Sequence, residues 1–488
     1  MKRVKSALRV ITTAIEKVTE VENVDVGPKP FKSMPGPKPL PLIKNLWRYF
    51  PIIGSFDFKR IHRTYARMYE EYGPIVREEV FGDRIIVHVY DPVDMSTVYK
   101  NEGRLPCRQS HRVLAKYRME RPEKYSCPGL FPSNGEEWYT FRHKFQKTLM
   151  AATTGEVCSS SIENITEDLI SIISTKLDDK LELDIQPLLF RWALECIGVV
   201  TLNRRLGCLT ENGNKEVLDL VKAVHNTHEA VFATENSPLK YKENYRMLTE
   251  SQDYLSTVVE KYFEEATGEI RNGKHEDSVL ARMMDTDASK KDLFTMILDM
   301  FLAGIDTTAY ALAFALYNLA RNREVQDKLR EELRTALPEK HSRLSEKRCR
   351  MPYLQLVIKE TLRVNPIAIG TGRILPCDTV LGGYKVPAKT MIILQHQVAS
   401  KLDKYFEDPD RFYPERWTQP VPLVSSPFGY GPRLCIGSRI ARKEMQLAIA
   451  RIVRNFLLSY HHEEIDSFNK LINVPDKPVL LRFESLPR

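Results

Sequence analysis

The chain has 488 residues, a length that suggests about three domains, although single folds of this size exist. Its 43% hydrophobic, 28% charged and 9% aromatic residues are ordinary for a globular protein and exclude a largely disordered, collagenous or disulfide-scaffold chain. Seventy-two basic against 64 acidic residues leave +8, a mild excess that argues against a dedicated nucleic-acid binder and confines any electrostatic partner to a local patch.

The chain opens with MKRVKSALRVITTAI, in which Lys2, Arg3, Lys5 and Arg9 precede the first acid, Glu16, and Val4, Leu8, Ile11 and Ile15 recur at helical spacing. This is the composition of a mitochondrial presequence, expected to occupy residues 1–30 with its leader; an exposed basic helix or a membrane-surface anchor shows the same pattern. No run of about 20 apolar residues is read as a spanning helix. Met34-Pro-Gly-Pro-Lys-Pro-Leu-Pro41 cannot be regular helix, because its prolines fix φ and remove donors. It is predicted to be a stiff connector into one folded body over residues 31–488.

Beyond it, apolar residues recur about every 3.6 positions, predicting helices over 57–72, 136–150, 162–177, 215–232, 247–270, 291–321, 323–335, 352–364 and 438–458. Short strands are predicted at 75–80, 84–90, 379–385 with Gly382-Gly383 as a turn, 391–395 and 478–483. The fold class is therefore mainly α with a small β-rich part. Eight cysteines (107, 127, 158, 196, 208, 349, 377 and 435) are scattered, without a close pair or a zinc spacing, and read as reduced thiols of an intracellular compartment.

The segment from Asp292 to Arg321 would run roughly 45 Å as a helix. It is apolar around most of its circumference, which marks a buried central helix. Within it, Ala303-Gly-Ile-Asp-Thr-Thr308 places a glycine costing about 1 kcal/mol beside three polar side chains that need partners. Two readings fit: a local opening at Gly304 that admits a small ligand held by a hydroxyl, or a kink with threonines bonded back to their own carbonyls.

Phe428-Gly-Tyr-Gly-Pro-Arg-Leu-Cys-Ile-Gly437 sets one cysteine in a glycine-rich loop just before a helix. Loop amides and the positive helix end stabilise an anionic sulfur and are expected to lower the Cys435 pKa. Gly431 and Gly437 permit close approach of something flat, Arg433 offers a fork for a carboxylate, and Phe428 can shield the sulfur.

This loop fills all five fixed positions of Phe-x-x-Gly-x-Arg-x-Cys-x-Gly, and the sequence resembles the cytochrome P450 superfamily from residue 31 to the end. The resemblance implies a P450 fold, a large helical domain around a buried haem with a small β-rich subdomain, and Cys435 as the thiolate ligand of the iron. Thiolate ligation in these enzymes is itself the standard example of an axial ligand that drives O–O cleavage. Glu360 and Arg363 in Lys-Glu-Thr-Leu-Arg, with Arg416 in Pro-Glu-Arg-Trp, are similar to the family's structural triad. Trp138 and Arg142 resemble a propionate-binding pair; Arg433 and Arg373 would be further propionate ligands.

The resemblance implies a monooxygenase that uses O₂ and two electrons. Asp306 and Thr307 match an acid–alcohol pair, Thr307 holding dioxygen by a hydrogen bond and Asp306 relaying protons, with Gly304 providing the opening. The leader points to the mitochondrial branch, whose reductant is a small acidic ferredoxin of adrenodoxin type; Lys359, Arg439, Arg442 and Lys443 are candidate contacts. Such an enzyme would face the matrix, with peripheral contact to the inner membrane.

Residues 109–150 and Leu-Ile-Asn-Val-Pro-Asp-Lys-Pro-Val-Leu near the end look like the arthropod Disembodied-type group, steroid 22-hydroxylases of ecdysteroid synthesis. Regions 105–130, 190–200, 220–245, 297–307 and 366–374 would then line a sterol pocket. A mitochondrial xenobiotic-oxidising P450, a P450-fold isomerase or dehydratase, and a haem carrier or sensor are the competing readings. The intact Asp306-Thr307 pair argues against the last two.

Overall fold

The computed structural model describes residues 27–50, 54–80, 84–176, 182–210, 213–236, 240–337, 343–344, 351–419 and 423–486. The basic leader at residues 1–15 lies outside them. Fifteen α-helices are formed among the described residues: α1 (Ile61–Tyr72), α2 (Pro92–Asn101), α3 (Arg112–Met119), α4 (Gly135–Leu149), α5 (Ala152–Val157), α6 (Ser159–Lys176), α7 (Gln186–Leu202), α8 (Lys215–Asn236), α9 (Tyr241–Arg271), α10 (Val279–Met284), α11 (Lys290–Arg321), α12 (Arg323–Ala336), α13 (Pro352–Val364), α14 (His396–Ala399) and α15 (Ser438–Asn455). The strands are β1 (Ile75–Glu79), β2 (Ile85–Val89), β3 (Glu182–Asp184), β4 (Thr371–Ile374), β5 (Thr379–Leu381), β6 (Tyr384–Val386), β7 (Met391–Leu394), β8 (Phe456–Ser459), β9 (Ser467–Lys470), β10 (Ile472–Pro475) and β11 (Leu480–Ser485).

The nine predicted helices are all present. The one predicted over 438–458 stops at Asn455, where Phe456 turns to extended backbone and β8 pairs antiparallel with β11. The 17-residue α7 escaped prediction because it is apolar on nearly every face and buried along most of its length, so it has no period to read. The other unpredicted helices are ten residues or fewer.

The largest sheet runs β1-β2-β7-β4, with β2 and β7 parallel and the outer pairs antiparallel. The proline-rich segment is not a free connector. Met34 is buried in the core beneath this sheet, and Arg77 N donates to Pro35 O at 2.8 Å. A Cβ on Gly36 would collide with the Arg77 carbonyl, so only glycine lets the segment lie this close.

The central helix α11 starts with a reciprocal cap: Ser289 Oγ accepts from Asp292 N at 3.2 Å, and Asp292 Oδ2 accepts from Ser289 N at 2.9 Å. It has the length and apolar composition of a membrane-spanning helix, contrary to the expectation of none, but 78% of its most apolar window is buried inside the body. It continues as helix through Gly304, which borders the cavity described below. Gly304 has another use: a Cβ there would sit 2.8 Å from Ile197 Cδ1, and the glycine lets α7 pack directly against α11.

Glu360 on α13 receives two bonds from Arg363 (2.8 and 2.9 Å), one from Arg416 Nε (2.9 Å), one from Trp417 Nε1 (2.9 Å) and one from Tyr413 N (2.9 Å). Arg363 also reaches Ser400 O at 2.9 Å, so the cluster ties α13 to the chain approaching the cysteine loop. Glu360 and Arg363 are fully buried. Removing the carboxylate strands two guanidiniums without a counter-charge. Glu360→Ala is expected to cost about 3–5 kcal/mol in equilibrium denaturation, and a loss below about 1 kcal/mol would contradict this role.

Candidate functional site

A cavity of about 380 Å³ lies between the 428–437 loop and α11. Cys435 lines it and carries accessible surface. The loop is fixed by Cys435 N donating to Phe428 O at 2.9 Å, and Gly429 and Gly431 adopt φ of +76° and +74°. A side chain at Gly431 would strike the Glu102 carboxylate. Nothing in the protein lies within 4 Å of where a Gly437 Cβ would stand, and Gly437 borders the cavity.

The expected depression of the Cys435 pKa is not found. Burial pushes the thiol up, against the Gly437 amide and the Arg142 and Arg442 guanidiniums. A cation opposite the sulfur would reverse that balance, since a coordinated thiol is deprotonated outright.

Arg108, Trp138, Arg142, Arg373 and Arg433 all border the same cavity. Arg433 stacks on Trp138 at 4.3 Å and donates to Pro106 O and Ser133 O at 3.0 and 2.6 Å. Burial and the neighbouring Arg108 and Arg373 press its pKa down to about 8; burial and Arg373 press Arg108 to about 10. Guanidiniums keep their protons, so these shifts register a positive wall short of anions. Arg433 Nη1 and Arg108 Nε also lack hydrogen-bond partners. The two propionates of a haem fit this need, and a thiol facing the same cavity fits its iron.

Other members of the expected set are partly engaged. Arg373 is paired with Glu102, and Arg142 donates to Leu434 O at 2.7 Å, bracing the ligand loop. Phe428 lines the cavity, with the Arg442 guanidinium 4.4 Å over its ring.

On α11, Thr307 borders the cavity and its hydroxyl donates back to Ala303 O at 2.5 Å. This back-bond belongs to the second of the two readings, and the place of Gly304 at the cavity to the first. Asp306 is buried and turns the other way, toward α8: His228 Nδ1 is 2.9 Å from Oδ2, and His225 Nε2 is 2.9 Å from Oδ1. Burial tends to raise the Asp306 carboxyl, but the two histidines outweigh it and hold it below its ordinary range. Thr308 Oγ1 donates to Glu444 on α15 at 3.3 Å.

Of the five predicted lining regions, four contribute; no described residue of 220–245 borders the cavity. Lys359, Arg439 and Arg442 are exposed, and Lys443 is half-buried with its stem beside Gly155. The seven described cysteines are unpaired.

Sequence reasoning missed Arg108, Glu444 and the His225–His228 pair. An isolated arginine in Cys107-Arg108-Gln109 carries no signal. Glu444 was findable, as an acid on the α15 face that Ile440 and Ala448 share.

The Cytochrome P450 family pattern matches residues 34–483, and the chain belongs to that family. It is accordingly a haem monooxygenase with a cysteine thiolate ligand and O₂ as co-substrate. It is 36% identical over 469 residues to the mitochondrial cytochrome P450 302a1 of Drosophila melanogaster, covering 93% of this chain and 95% of that protein. Cytochrome P450 10 of Lymnaea stagnalis is 30% identical, with 96% and 90% covered. The mitochondrial 1,25-dihydroxyvitamin D(3) 24-hydroxylase of Mus musculus is 29% identical, with 92% and 88% covered.

Glu444 yields a test of the cavity's electrostatics. Burial pushes its carboxyl up to about 7, with the Thr308 hydroxyl opposing. The folded value exceeds the unfolded one of about 4.3, so the native state holds a proton that the unfolded chain has lost. Stability from this group therefore falls as pH rises from about 4.5 to 7. Glu444→Gln is expected to flatten that slope and to be about 1–3 kcal/mol more stable than the parent at pH 8. Denaturation curves at pH 5 and pH 8 that keep the parent's slope would refute it.

Proposed function

We propose that the protein is a mitochondrial steroid hydroxylase acting on the side chain, at C22, of an ecdysteroid precursor, with electrons from an adrenodoxin-type ferredoxin. The observation that carries the oxygenase part is the cavity shared by Cys435, the arginine wall and Thr307. Met296, Met300, Ala303, Leu362, Ile367 and Ile472 give it an apolar lining suited to a rigid hydrocarbon body. The mitochondrial relatives, one of them named as a hydroxylase of a vitamin D, support the compartment and the substrate class.

In this reading the basic presequence of the 1–30 leader is removed ahead of Lys29, and 31–488 is the catalytic domain, on the matrix side with peripheral inner-membrane contact. Cys435 Sγ would hold the haem iron, and Arg433, Arg108, Arg373, Trp138 and Arg142 would hold and flank its propionates. Gly437 leaves room for its face, and Phe428 keeps water from the sulfur. When bound, the haem supplies activation of O₂ and insertion of one oxygen atom into a C–H bond.

The chain's own residues manage position and protons. Thr307 Oγ1 spends its proton on Ala303 O and keeps its lone pairs to accept a hydrogen bond at the cavity wall. Asp306, immediately before it in sequence, is a carboxylate that would relay protons to it and does not store them. Lys359, Arg439, Arg442 and Lys443 offer positive charge to an acidic ferredoxin on the sulfur side.

Three measurements bear on this reading. The reduced protein with carbon monoxide should show the red-displaced Soret band of thiolate ligation, and its absence from fully loaded protein would end the Cys435 assignment. A shift of iron spin state with 22-deoxy ecdysteroid precursors alone supports the substrate; a broad response to unrelated apolar compounds favours xenobiotic oxidation. Thr307→Ala should retain haem and substrate binding but divert about tenfold more reducing equivalents from product; unchanged coupling would remove Thr307 from the mechanism.

A further inference from the structure

Behind the arginine wall, Tyr99 on α2 is buried at 6% exposure, and its hydroxyl lies 2.9 Å from His396 Nε2 on α14. The other nitrogen of that ring, Nδ1, lies 3.0 Å from Val424 O. A carbonyl can only accept, so the proton of the neutral imidazole sits on Nδ1, and Nε2 is a bare lone pair that accepts from the Tyr99 hydroxyl. Burial presses His396 down to about 4 and keeps the ring neutral. A phenol bonded to a free base in a dry site can lose an electron and a proton together, without leaving charge on its own ring.

The two faces of Tyr99 meet different surroundings. On the cavity side the Arg373 guanidinium lies 5.3 Å over the ring, and Arg373 and Thr371 both border the cavity. On the outer side the ring meets that of Tyr430, 5.3 Å between centres, and Tyr430 is 52% exposed. The line from cavity wall to solvent runs Arg373, Tyr99, Tyr430. Trp138 borders the cavity directly, but the guanidiniums of Arg433 and Arg142 stand over its ring at 4.3 and 5.5 Å. An indole that loses an electron there becomes a cation facing two fixed cations. Tyr99 also has a guanidinium over it, yet it gives up its proton with its electron and stays neutral.

We infer that Tyr99 and Tyr430 form an outlet that discharges the haem when an oxidising equivalent is stranded on it without substrate, a protective activity separate from hydroxylation. Tyr99 gives one electron to the haem and its phenolic proton to His396 Nε2, leaving a neutral tyrosyl radical and an imidazolium. Tyr430 then gives one electron to Tyr99, His396 returns the proton to the Tyr99 oxygen, and Tyr430 loses its own phenolic proton to water. A small soluble enediol such as ascorbate restores Tyr430 by donating a hydrogen atom and becomes the ascorbyl radical. Desolvation and the nearby Arg373 disfavour the buried imidazolium, which drives its proton back and makes the step reversible. The inference requires haem in the cavity and is independent of which substrate the enzyme takes.

The test uses haem-loaded protein without substrate, given hydrogen peroxide as the source of oxidising equivalents and frozen at intervals for electron paramagnetic resonance. The parent should show a tyrosyl signal that narrows when ring-deuterated tyrosine is incorporated. Tyr99→Phe should lose that signal and bleach the haem Soret band several-fold faster. His396→Gln, which keeps an acceptor for the hydroxyl but offers no base, should behave likewise. Tyr430→Phe should keep the signal, lengthen its life and remove the protection that ascorbate gives the parent's Soret band. The thiolate band with carbon monoxide should be the same in parent and variants.

A parent-like signal and bleaching rate in Tyr99→Phe overturns the inference. So does a parent signal insensitive to tyrosine deuteration, which marks Trp138 or another group as the site of oxidation. Faster bleaching with an unchanged signal marks a loosened haem seat and overturns it as well. Unchanged decay and an unchanged ascorbate effect in Tyr430→Phe remove Tyr430 as the exit. A parent that lacks the thiolate band removes the haem site itself, and the outlet with it.

Discussion

Four of five consecutive residues of α11, Gly304 to Thr308, meet four different neighbours, and the rest of the body is arranged to receive them. Gly304 admits Ile197 of α7, Asp306 meets the histidines of α8, Thr307 faces the cavity, and Thr308 reaches Glu444 of α15. A helix enclosed on all sides cannot leave polar groups to water, so each must find its partner on a particular element. That requirement fixes the relative rotation of four helices around one turn and a half.

The cavity's electrostatics follow from the same enclosure. A thiol raised by burial and guanidiniums pressed down by burial and by one another are two halves of one demand, for a cation at one edge and anions at the other. Haem carries both on a single rigid plane. Neither half is stable by its own chemistry, which is why the loop is braced by Arg142 on Leu434 O and the wall by Glu102 on Arg373.

Much of this was legible in the residues. The nine periodic helices, the hairpin around Gly382-Gly383 and the cysteine loop were readable because period, turn chemistry and a ten-residue pattern are local properties. What escaped was either aperiodic, as in α7, or non-local. Nothing at position 306 says that its carboxylate turns toward α8, because that depends on which helix lies over it. The same holds for Arg108, an unremarked arginine until the fold sets it beside Arg433. Gly304 borders the cavity as its reading expected, while its second use, admitting Ile197 of α7, is non-local and could not be read. At Cys435 the loop amides are visible in sequence, whereas the desolvation that opposes them is not.

The way the chain joins the body sets a boundary on any trimming from its amino-terminal side. Lys29 already exchanges main-chain hydrogen bonds with Gly383 and Lys385, and five residues later Met34 is sealed beneath the main sheet. A processing protease that cuts ahead of Lys29 leaves these stitches whole. One that cuts a few residues further would remove the bridge to β6 and, past Met34, bare the sheet's apolar underside. The fold thereby marks how far trimming can go before it becomes damage.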